Sequence, residues 1–162
     1  MIKDNMNTLH ILIGIPGSGK STYAQKLVET TGGRIVSSDG IRKELTGTEE
    51  YLYPELNRRV FEIFHSRIAD WIKETDVIAD ATNIHVKDWR NAIALCPEGT
   101  PRKVYWFDIR PDAAMRRMDS RERKVPRDVV ERMWKTMEDN RRNLKYYFDE
   151  DDITVIGEDE RI

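Results

Sequence analysis

The sequence predicts a three-layer α/β fold in which helices flank a five-stranded parallel sheet on both faces. Two observations support this: short apolar runs alternate with longer amphipathic segments, and the first apolar run ends in a glycine-rich turn. Strands that alternate with helices pair in parallel, because each crossover helix covers one face of the sheet. The chain contains no repeat, low-complexity tract or linker, so we predict one domain over residues 1–162.

The first half of the chain predicts two strands and three helices. The run LHILIG predicts a buried strand at about 9–14, and KSTYAQKLVET predicts the helix after it. RIVSS predicts a second strand, with Asp39 at the position of a cap for the next helix. Pro54 then opens a long helix to about residue 75, because apolar residues recur there every four positions.

The second half continues the same alternation. DVIAD at 76–80 predicts the third strand, and a helix follows to about residue 95. KVYWFDI predicts the fourth strand, with a helix from Pro111. After a polar, arginine-rich segment at 119–124, Pro126 restarts a helix. DITVIG predicts the fifth strand.

The glycine-rich turn GIPGSGKST is a phosphate-binding motif. Gly14, Gly19, Lys20 and Ser21 satisfy G-x-x-x-x-G-K-S/T between a predicted strand and a predicted helix. Glycines let backbone N–H groups converge on an anion, and the helix N-terminus adds a favourable dipole. Lys20 can reach the outer phosphates and Ser21 can ligate Mg²⁺, so the motif predicts a phosphate-loop (P-loop) fold that binds ATP and Mg²⁺. The expected nucleotide-binding residues are Gly14, Pro16, Gly17, Ser18, Gly19, Lys20, Ser21 and Thr22.

Two aspartates follow predicted strands, where ligands bind in open α/β sheets. Asp80 ends the third strand, which we expect beside the first, and it can hold the Mg²⁺ shell or cap the next turn. Asp39 can accept a proton from a phosphoryl acceptor, or simply cap its helix. Arg42 lies on the same helical face as Asp39, which suits a hydroxyl beside an anionic group or a surface ion pair.

Three arginines surround the end of the helix that begins at Pro111. Arg117, Arg121 and Arg123 are candidates for a lid that closes over the γ-phosphate and excludes water. Arginine suits this role because its planar fork meets phosphate oxygens bidentately. Arg121 is our first choice and Arg123 the second, while solvent exposure is the alternative for Arg117.

Four segments resemble the kinase domain of the bacteriophage polynucleotide kinase-phosphatase family. They occur in the family's order and cover the chain from residue 10 to about 143. Two features are more discriminating than the phosphate loop: the aspartate–x–x–arginine pair, and the helix after the arginine-rich segment. The segments are GIPGSGKSTYAQKL, SSDGIRKEL, VIADATNIHVKDWR and VYWFDIRPDAAMRRMDSRERKVPRDVVERMWKTM.

The resemblance implies ATP-dependent phosphorylation of a 5′-hydroxyl end of DNA or RNA, as in nucleic acid repair. It makes Lys20 and Ser21 the phosphate-loop pair and Asp39 the general base. Arg42 would lie beside the acceptor's 3′-phosphate, and Arg121 would be the lid arginine. The family's phosphatase half carries an aspartate-x-aspartate-x-threonine motif that is absent here, so we expect a kinase without that activity.

The sequence also departs from the family pattern. Gly40 stands where a second aspartate is expected, and Asp80 comes one position earlier than in the family's DTN. Aligning the arginine-rich segment needs a one-residue gap soon after Arg121, so the lid arginine is Arg121 or Arg123.

Composition limits the class of protein. The 162-residue chain has a net charge of −2, but residues 149–162 hold seven acids against one base. The rest carries 26 basic and 22 acidic residues, so a phosphate-rich ligand can meet a locally positive face. A single cysteine, Cys96, and no apolar run near ~20 residues favour a reducing cytoplasm without a membrane anchor, the host cell's if the protein is phage-encoded. Monomer and homo-oligomer both remain open.

Two other functions fit the phosphate loop. The chain could phosphorylate a small alcohol or a nucleoside, or it could be a nucleotide-dependent binding module, which leaves Asp39 without a role. Tyr51 and Tyr53 precede Pro54 near the expected acceptor position and could stack on a nucleobase.

Overall fold

A computed structural model describes residues 6–118 and 125–158. Its described strands form one parallel sheet in the order β2-β3-β1-β4-β5, as the sequence predicted. The strands are Leu9–Ile13 (β1), Arg34–Ser37 (β2), Val77–Asp80 (β3), Arg102–Asp108 (β4) and Ile153–Gly157 (β5).

Helices connect the strands at close to the predicted positions. They are Lys20–Thr31 (α1), Ser38–Thr46 (α2), Pro54–Trp71 (α3), Val86–Ala94 (α4), Pro111–Met118 (α5) and Arg127–Asn140 (α6). The helix α3 ends four residues earlier than predicted, and two short 3₁₀-helices, Arg141–Tyr146 and Glu150–Asp152, were not predicted. Of the helices in the described ranges, none has the length and apolar character needed to cross a bilayer.

The central strand β1 is buried along its whole length. It pairs with β3 on one side and β4 on the other, so Leu12 lies opposite Asp80 and Ile13 lies opposite Trp106. Both faces of such a strand are covered, which is why LHILI is almost continuously apolar. The parallel pairing brings the carboxyl ends of β1, β2 and β3 to the same edge.

The start of α2 differs from the sequence prediction. Ser37, not Asp39, is the N-cap residue: its side-chain oxygen accepts a hydrogen bond of 3.0 Å from the Gly40 N–H. Asp39 therefore lies inside the first turn of α2, and its carboxylate is not used for capping. The capping alternative for Asp39 is wrong.

A buried histidine carries a polar contact across the sheet. His10, on β1, is 3% exposed and contacts the Tyr105 hydroxyl at 2.8 Å through Nδ1 and Asp76 Oδ2 at 3.0 Å through Nε2. Because an ionised carboxylate only accepts, Nε2–H donates to Asp76 and Nδ1 accepts from Tyr105. Burial is the main reason that the pKa of His10 lies below its ordinary value of 6.5.

We predict that protonation of His10 opposes folding. As the pH falls, His10 takes up a proton near pH 6.5 in the unfolded chain but only at lower pH in the folded chain. The contribution of neutral His10 to stability is therefore complete above pH 6.5 and declines as the pH falls below it. His10→Gln should remove this part of the pH dependence and lower the free energy of unfolding by about 1–3 kcal/mol at pH 8. Urea unfolding between pH 5 and 8 measures both effects. Parallel pH profiles in the two proteins would contradict the prediction.

Candidate active site

The phosphate loop joins β1 to α1 at the carboxyl edge of the sheet. Gly17 has a φ of 84°, and a Cβ there would collide with the carbonyl oxygen of Ala114 on α5. At Gly14, a Cβ would lie 2.6 Å from Ser18 Oγ and 2.9 Å from Phe107 Cβ. Only glycine fits these two positions, because the loop passes closely against β4 and α5.

Lys20 and Ser21 begin α1 directly behind the loop. The Lys20 ammonium is buried and donates a 3.0 Å hydrogen bond to the carbonyl of Ile15, which holds its positive charge under the loop. Ser21 Oγ donates to Asp80 Oδ2 at 3.1 Å, because β1 and β3 are neighbours. The two residues predicted to hold Mg²⁺ thus lie within hydrogen-bond distance of each other.

Arg117 reaches the same loop from α5. Its Nη1 donates to the carbonyl of Ser18 at 2.9 Å, so the side chain is directed at the loop and only partly exposed. The solvent-facing alternative for Arg117 is wrong. Arg121 and Arg123 lie outside the described residues, so the identity of the lid arginine stays a sequence prediction.

These residues surround a cavity of about 400 Å³, which we call the phosphate cleft. The predicted loop residues after Gly14 all line it, together with Asp39, Asp80 and Arg117. The loop residues in its wall are Pro16, Gly17, Ser18, Gly19, Lys20, Ser21 and Thr22.

Asp39 and Arg42 form an ion pair on the first turn and a half of α2. The Arg42 Nη1 to Asp39 Oδ1 distance is 2.7 Å, and Arg42 is only 5% exposed. The guanidinium also donates to Asn57 Oδ1 at 3.0 Å and to the carbonyl of Glu49 at 3.4 Å. Arg42 is therefore a buried, oriented group and not part of a surface ion pair. Sequence reasoning missed Asn57, because an isolated polar residue on a long helix carries no signal of its partner.

A second cavity of about 680 Å³, here called the side chamber, adjoins the phosphate cleft. Arg42, Asn57 and Tyr51 line one wall, and the α6 residues Arg132 and Met133 line the other. Asp39 lies in the wall of both cavities. The residues common to the two cavities are Pro16, Ser38, Asp39, Thr82 and Val125.

Asn83 fixes the strand ends that carry the site. It is buried, has a φ of 48°, and donates through Nδ2 to the carbonyls of Leu12 at 2.7 Å and Ala79 at 3.3 Å. The backbone carbonyl of Asn83 accepts a hydrogen bond from Trp89 Nε1 at 2.8 Å. The amide therefore ties the ends of β1 and β3 together next to the phosphate loop. No role was predicted for Asn83 from the sequence, although it is the last residue of the DATN stretch that begins at Asp80.

The comparison with protein families agrees with this geometry. The model of the AAA domain family matches residues 9–144, well over half of the chain. The chain belongs to this family. The family match and the sheet order identify it as a P-loop kinase. Such kinases use ATP as the phosphoryl donor together with Mg²⁺. No curated protein matches the chain significantly.

Among solved structures, the kinase is similar to a chain of the Pnkp1/Rnl/Hen1 RNA repair complex. The two share 26% identity with a TM-score of 0.74, over 88% of this chain and 49% of that one. A second structure of the complex gives 26% identity and a TM-score of 0.62, over 74% and 41% of the two chains. The kinase thus spans about half the length of these relatives or less.

A gluconokinase from Sinorhizobium meliloti 1021 has the same fold. Its TM-score is 0.62 at 17% identity, over 94% of this chain and 83% of that one.

We predict that Asn83 holds the kinase site together through its side-chain amide. Asn83→Gly keeps the positive φ and the backbone carbonyl that accepts from Trp89 Nε1, but it removes the amide that donates to the buried carbonyls of Leu12 and Ala79. It should therefore cost about 1–3 kcal/mol of unfolding free energy. Asn83→Ala adds backbone strain and should cost more. Urea unfolding and nucleotide affinity, measured on both variants, test this. Wild-type stability in Asn83→Gly would contradict the role of the amide.

Proposed function

We propose that this kinase transfers the γ-phosphate of ATP to the 5′-hydroxyl end of DNA or RNA. The observation that carries the proposal is the position of Asp39 in the wall shared by the phosphate cleft and the side chamber. A phosphoryl donor in the cleft and a hydroxyl acceptor in the chamber would meet at this carboxylate. A nucleotide-dependent switch would need neither a second chamber nor a carboxylate at the junction.

In this reaction the acceptor's 5′-oxygen attacks the γ-phosphorus while the bond to the β–γ bridging oxygen breaks, and ADP leaves. Asp39 takes the proton of the attacking hydroxyl, a role worth roughly 10²- to 10⁴-fold in rate. Lys20 and Arg117 flank the phosphate loop, where their positive charges offset the charge that develops on the phosphates.

Ser21 and Asp80 are the residues that would hold Mg²⁺. A hydroxyl and a carboxylate with oxygen atoms 3.1 Å apart suit this hard cation. Within residues 6–118 and 125–158, no cluster of three or more histidine, cysteine or acidic side chains is placed to bind a metal. Mg²⁺ is usually held by one or two protein groups together with phosphates and water. When bound, it offsets phosphate charge during transfer.

Arg42 supports a phosphorylated acceptor over a plain alcohol. Its buried guanidinium sits in the chamber wall, oriented by Asp39 and Asn57, and would lie beside the 3′-phosphate of the acceptor's first nucleotide. The similarity to a chain of an RNA repair complex at 26% identity gives independent support for a polynucleotide acceptor. We therefore place the enzyme in nucleic acid repair.

The decisive experiment is a labelling panel. The protein is incubated with Mg²⁺ and γ-labelled ATP in the presence of 5′-hydroxyl DNA, 5′-hydroxyl RNA, 5′-phosphorylated controls, nucleosides, or small alcohols such as gluconate. We expect label on the 5′-hydroxyl oligonucleotides and none on the 5′-phosphorylated ones. Label confined to a nucleoside or small alcohol would overturn the polynucleotide proposal, and hydrolysis without any labelled acceptor would overturn the kinase reaction.

We predict that Asp39→Asn lowers the transfer rate by roughly 10²- to 10⁴-fold while ATP affinity stays close to that of the wild type. The amide keeps the shape of the carboxylate but cannot act as the base. Asp70→Asn, at an exposed position near the end of α3, is the matched control and should transfer normally. Single-turnover rates and nucleotide binding are measured in parallel. Unchanged transfer by Asp39→Asn would remove Asp39 as the base.

We predict that Arg121→Ala slows phosphoryl transfer to every acceptor by 10-fold or more, since a lid arginine acts on the phosphates of ATP. Arg123→Ala is the paired variant, and its effect should be smaller. The ratio of kcat values for the two variants with one oligonucleotide is the measurement. A larger loss in Arg123→Ala would move the lid role to Arg123.

A further inference from the structure

Exposed apolar side chains are concentrated beside the side chamber. The described residues include six large hydrophobic side chains that are exposed, and four of them fall within residues 45–53. Tyr51, Leu52 and Tyr53, which we call the tyrosine rim, are 53%, 49% and 51% exposed. Adjacent exposed apolar side chains of this kind are typical of a binding surface.

The backbone on both sides of the rim is anchored. The Glu49 carbonyl accepts from Arg42 Nη1 at 3.4 Å, and the Tyr53 carbonyl accepts from the Asn57 N–H at 3.2 Å. Pro54 begins α3 directly after Tyr53, whose φ of −163° and ψ of 160° are extended. Both anchoring partners, Arg42 and Asn57, also line the side chamber. Tyr51, between these two anchors, is the rim residue that lines the chamber, and Leu52 and Tyr53 follow it directly.

Charge around the rim favours contact with bases over contact with phosphates. Residues 48–59 contain three acids, Glu49, Glu50 and Glu55, against the two bases Arg58 and Arg59. A segment with this balance does not attract a phosphate backbone. Exposed tyrosine rings instead offer flat apolar surfaces on which unpaired nucleobases can stack with little regard to sequence.

We propose that the tyrosine rim binds the nucleobases that follow the 5′-terminal nucleotide of a single-stranded acceptor. Tyr51 already lines the chamber, so an acceptor whose first nucleotide fills it continues past Tyr51 towards Tyr53. The bases have to be unpaired to lie on the rings, so the rim selects single-stranded ends over blunt duplex ends. This inference rests on the proposed polynucleotide acceptor.

The test compares two single-stranded 5′-hydroxyl octanucleotides, labelled at the 3′ end. One is intact, and the other has abasic residues at its second and third positions, so the phosphates are the same and only the bases differ. By fluorescence anisotropy, we expect the Kd of wild-type protein to be about 5- to 100-fold higher for the abasic ligand than for the intact one. In Tyr53→Ala, this ratio of abasic to intact Kd should fall close to one. Tyr53→Phe keeps the ring and should keep the ratio.

Tyr146→Ala is the matched control, because Tyr146 is 71% exposed and does not line the side chamber. It should bind both oligonucleotides as the wild type does. The slope of log Kd against log salt should be the same in Tyr53→Ala and wild type, since stacking releases no counterions. A shallower slope in Tyr53→Ala would mean that the rim binds phosphates and would overturn the proposal.

Binding and transfer are scored separately. The rim proposal would be overturned by an abasic-to-intact Kd ratio near one in the wild type, or by a ratio in Tyr53→Ala equal to that of the wild type. In either case, transfer to both ligands would leave the kinase function standing. Base-dependent binding without phosphoryl transfer would overturn the kinase function and leave the rim as a nucleic-acid contact. Failure to bind either oligonucleotide, together with no transfer to either, would overturn both.

Discussion

The parallel pairing of β1 with β3, and of β3 with β2, is the constraint on which the site depends. In this register Asp80 lies beside both Leu12 and Ser37, so the carboxyl ends of three strands meet at one edge. The turn after β1 is the phosphate loop, and α2 begins directly after β2. A slip in this pairing would separate Ser21 from Asp80 and Asp39 from the phosphate cleft.

Several buried hydrogen bonds hold this edge in place. The Gly14 N–H donates to the carbonyl of Thr82 at 3.1 Å, and the Asn83 amide bridges the ends of β1 and β3. The Asn83 contacts are buried, so losing one leaves a buried polar atom without compensation. The phosphate side of the site is therefore a rigid part of the sheet edge.

The side chamber, our proposed acceptor site, is built differently, from the packing of α2 against α3. Arg42 on α2 bonds to Asn57 on α3, and further along Arg67 makes two hydrogen bonds to Glu44, at 2.8 and 3.0 Å. Glu44 is largely exposed, so the second contact adds little stability and mainly sets how the two helices lie together. In the proposed reaction, helix packing thus positions the acceptor, while the sheet edge positions the nucleotide.

Much of this arrangement could be predicted from the sequence, because local rules govern it. A phosphate loop between an apolar run and a helix, and acids at strand ends, are short-range patterns, and they located Lys20, Ser21 and Asp80. The role of Asp39 in capping could not be decided from the sequence, since Ser37 competes for the same helix start and only the backbone shows which side chain bonds to Gly40. The contacts of Asn57 and Asn83 were not predicted. Asn57 bonds to Arg42 on another helix, and Asn83 bonds to backbone carbonyls, which carry no residue-specific signal in the sequence.

The central claim is that phosphate passes directly from ATP in the cleft to a hydroxyl in the side chamber, with Asp39 acting only as a base. The stereochemistry of transfer tests this most directly. The substrate is ATP with a γ-thiophosphate that is made chiral by oxygen isotopes. It is used to thiophosphorylate a 5′-hydroxyl oligonucleotide, and the configuration at phosphorus in the product is determined. A single in-line displacement predicts inversion at phosphorus. Retention would mean two successive transfers through a phosphorylated enzyme group and would contradict the account.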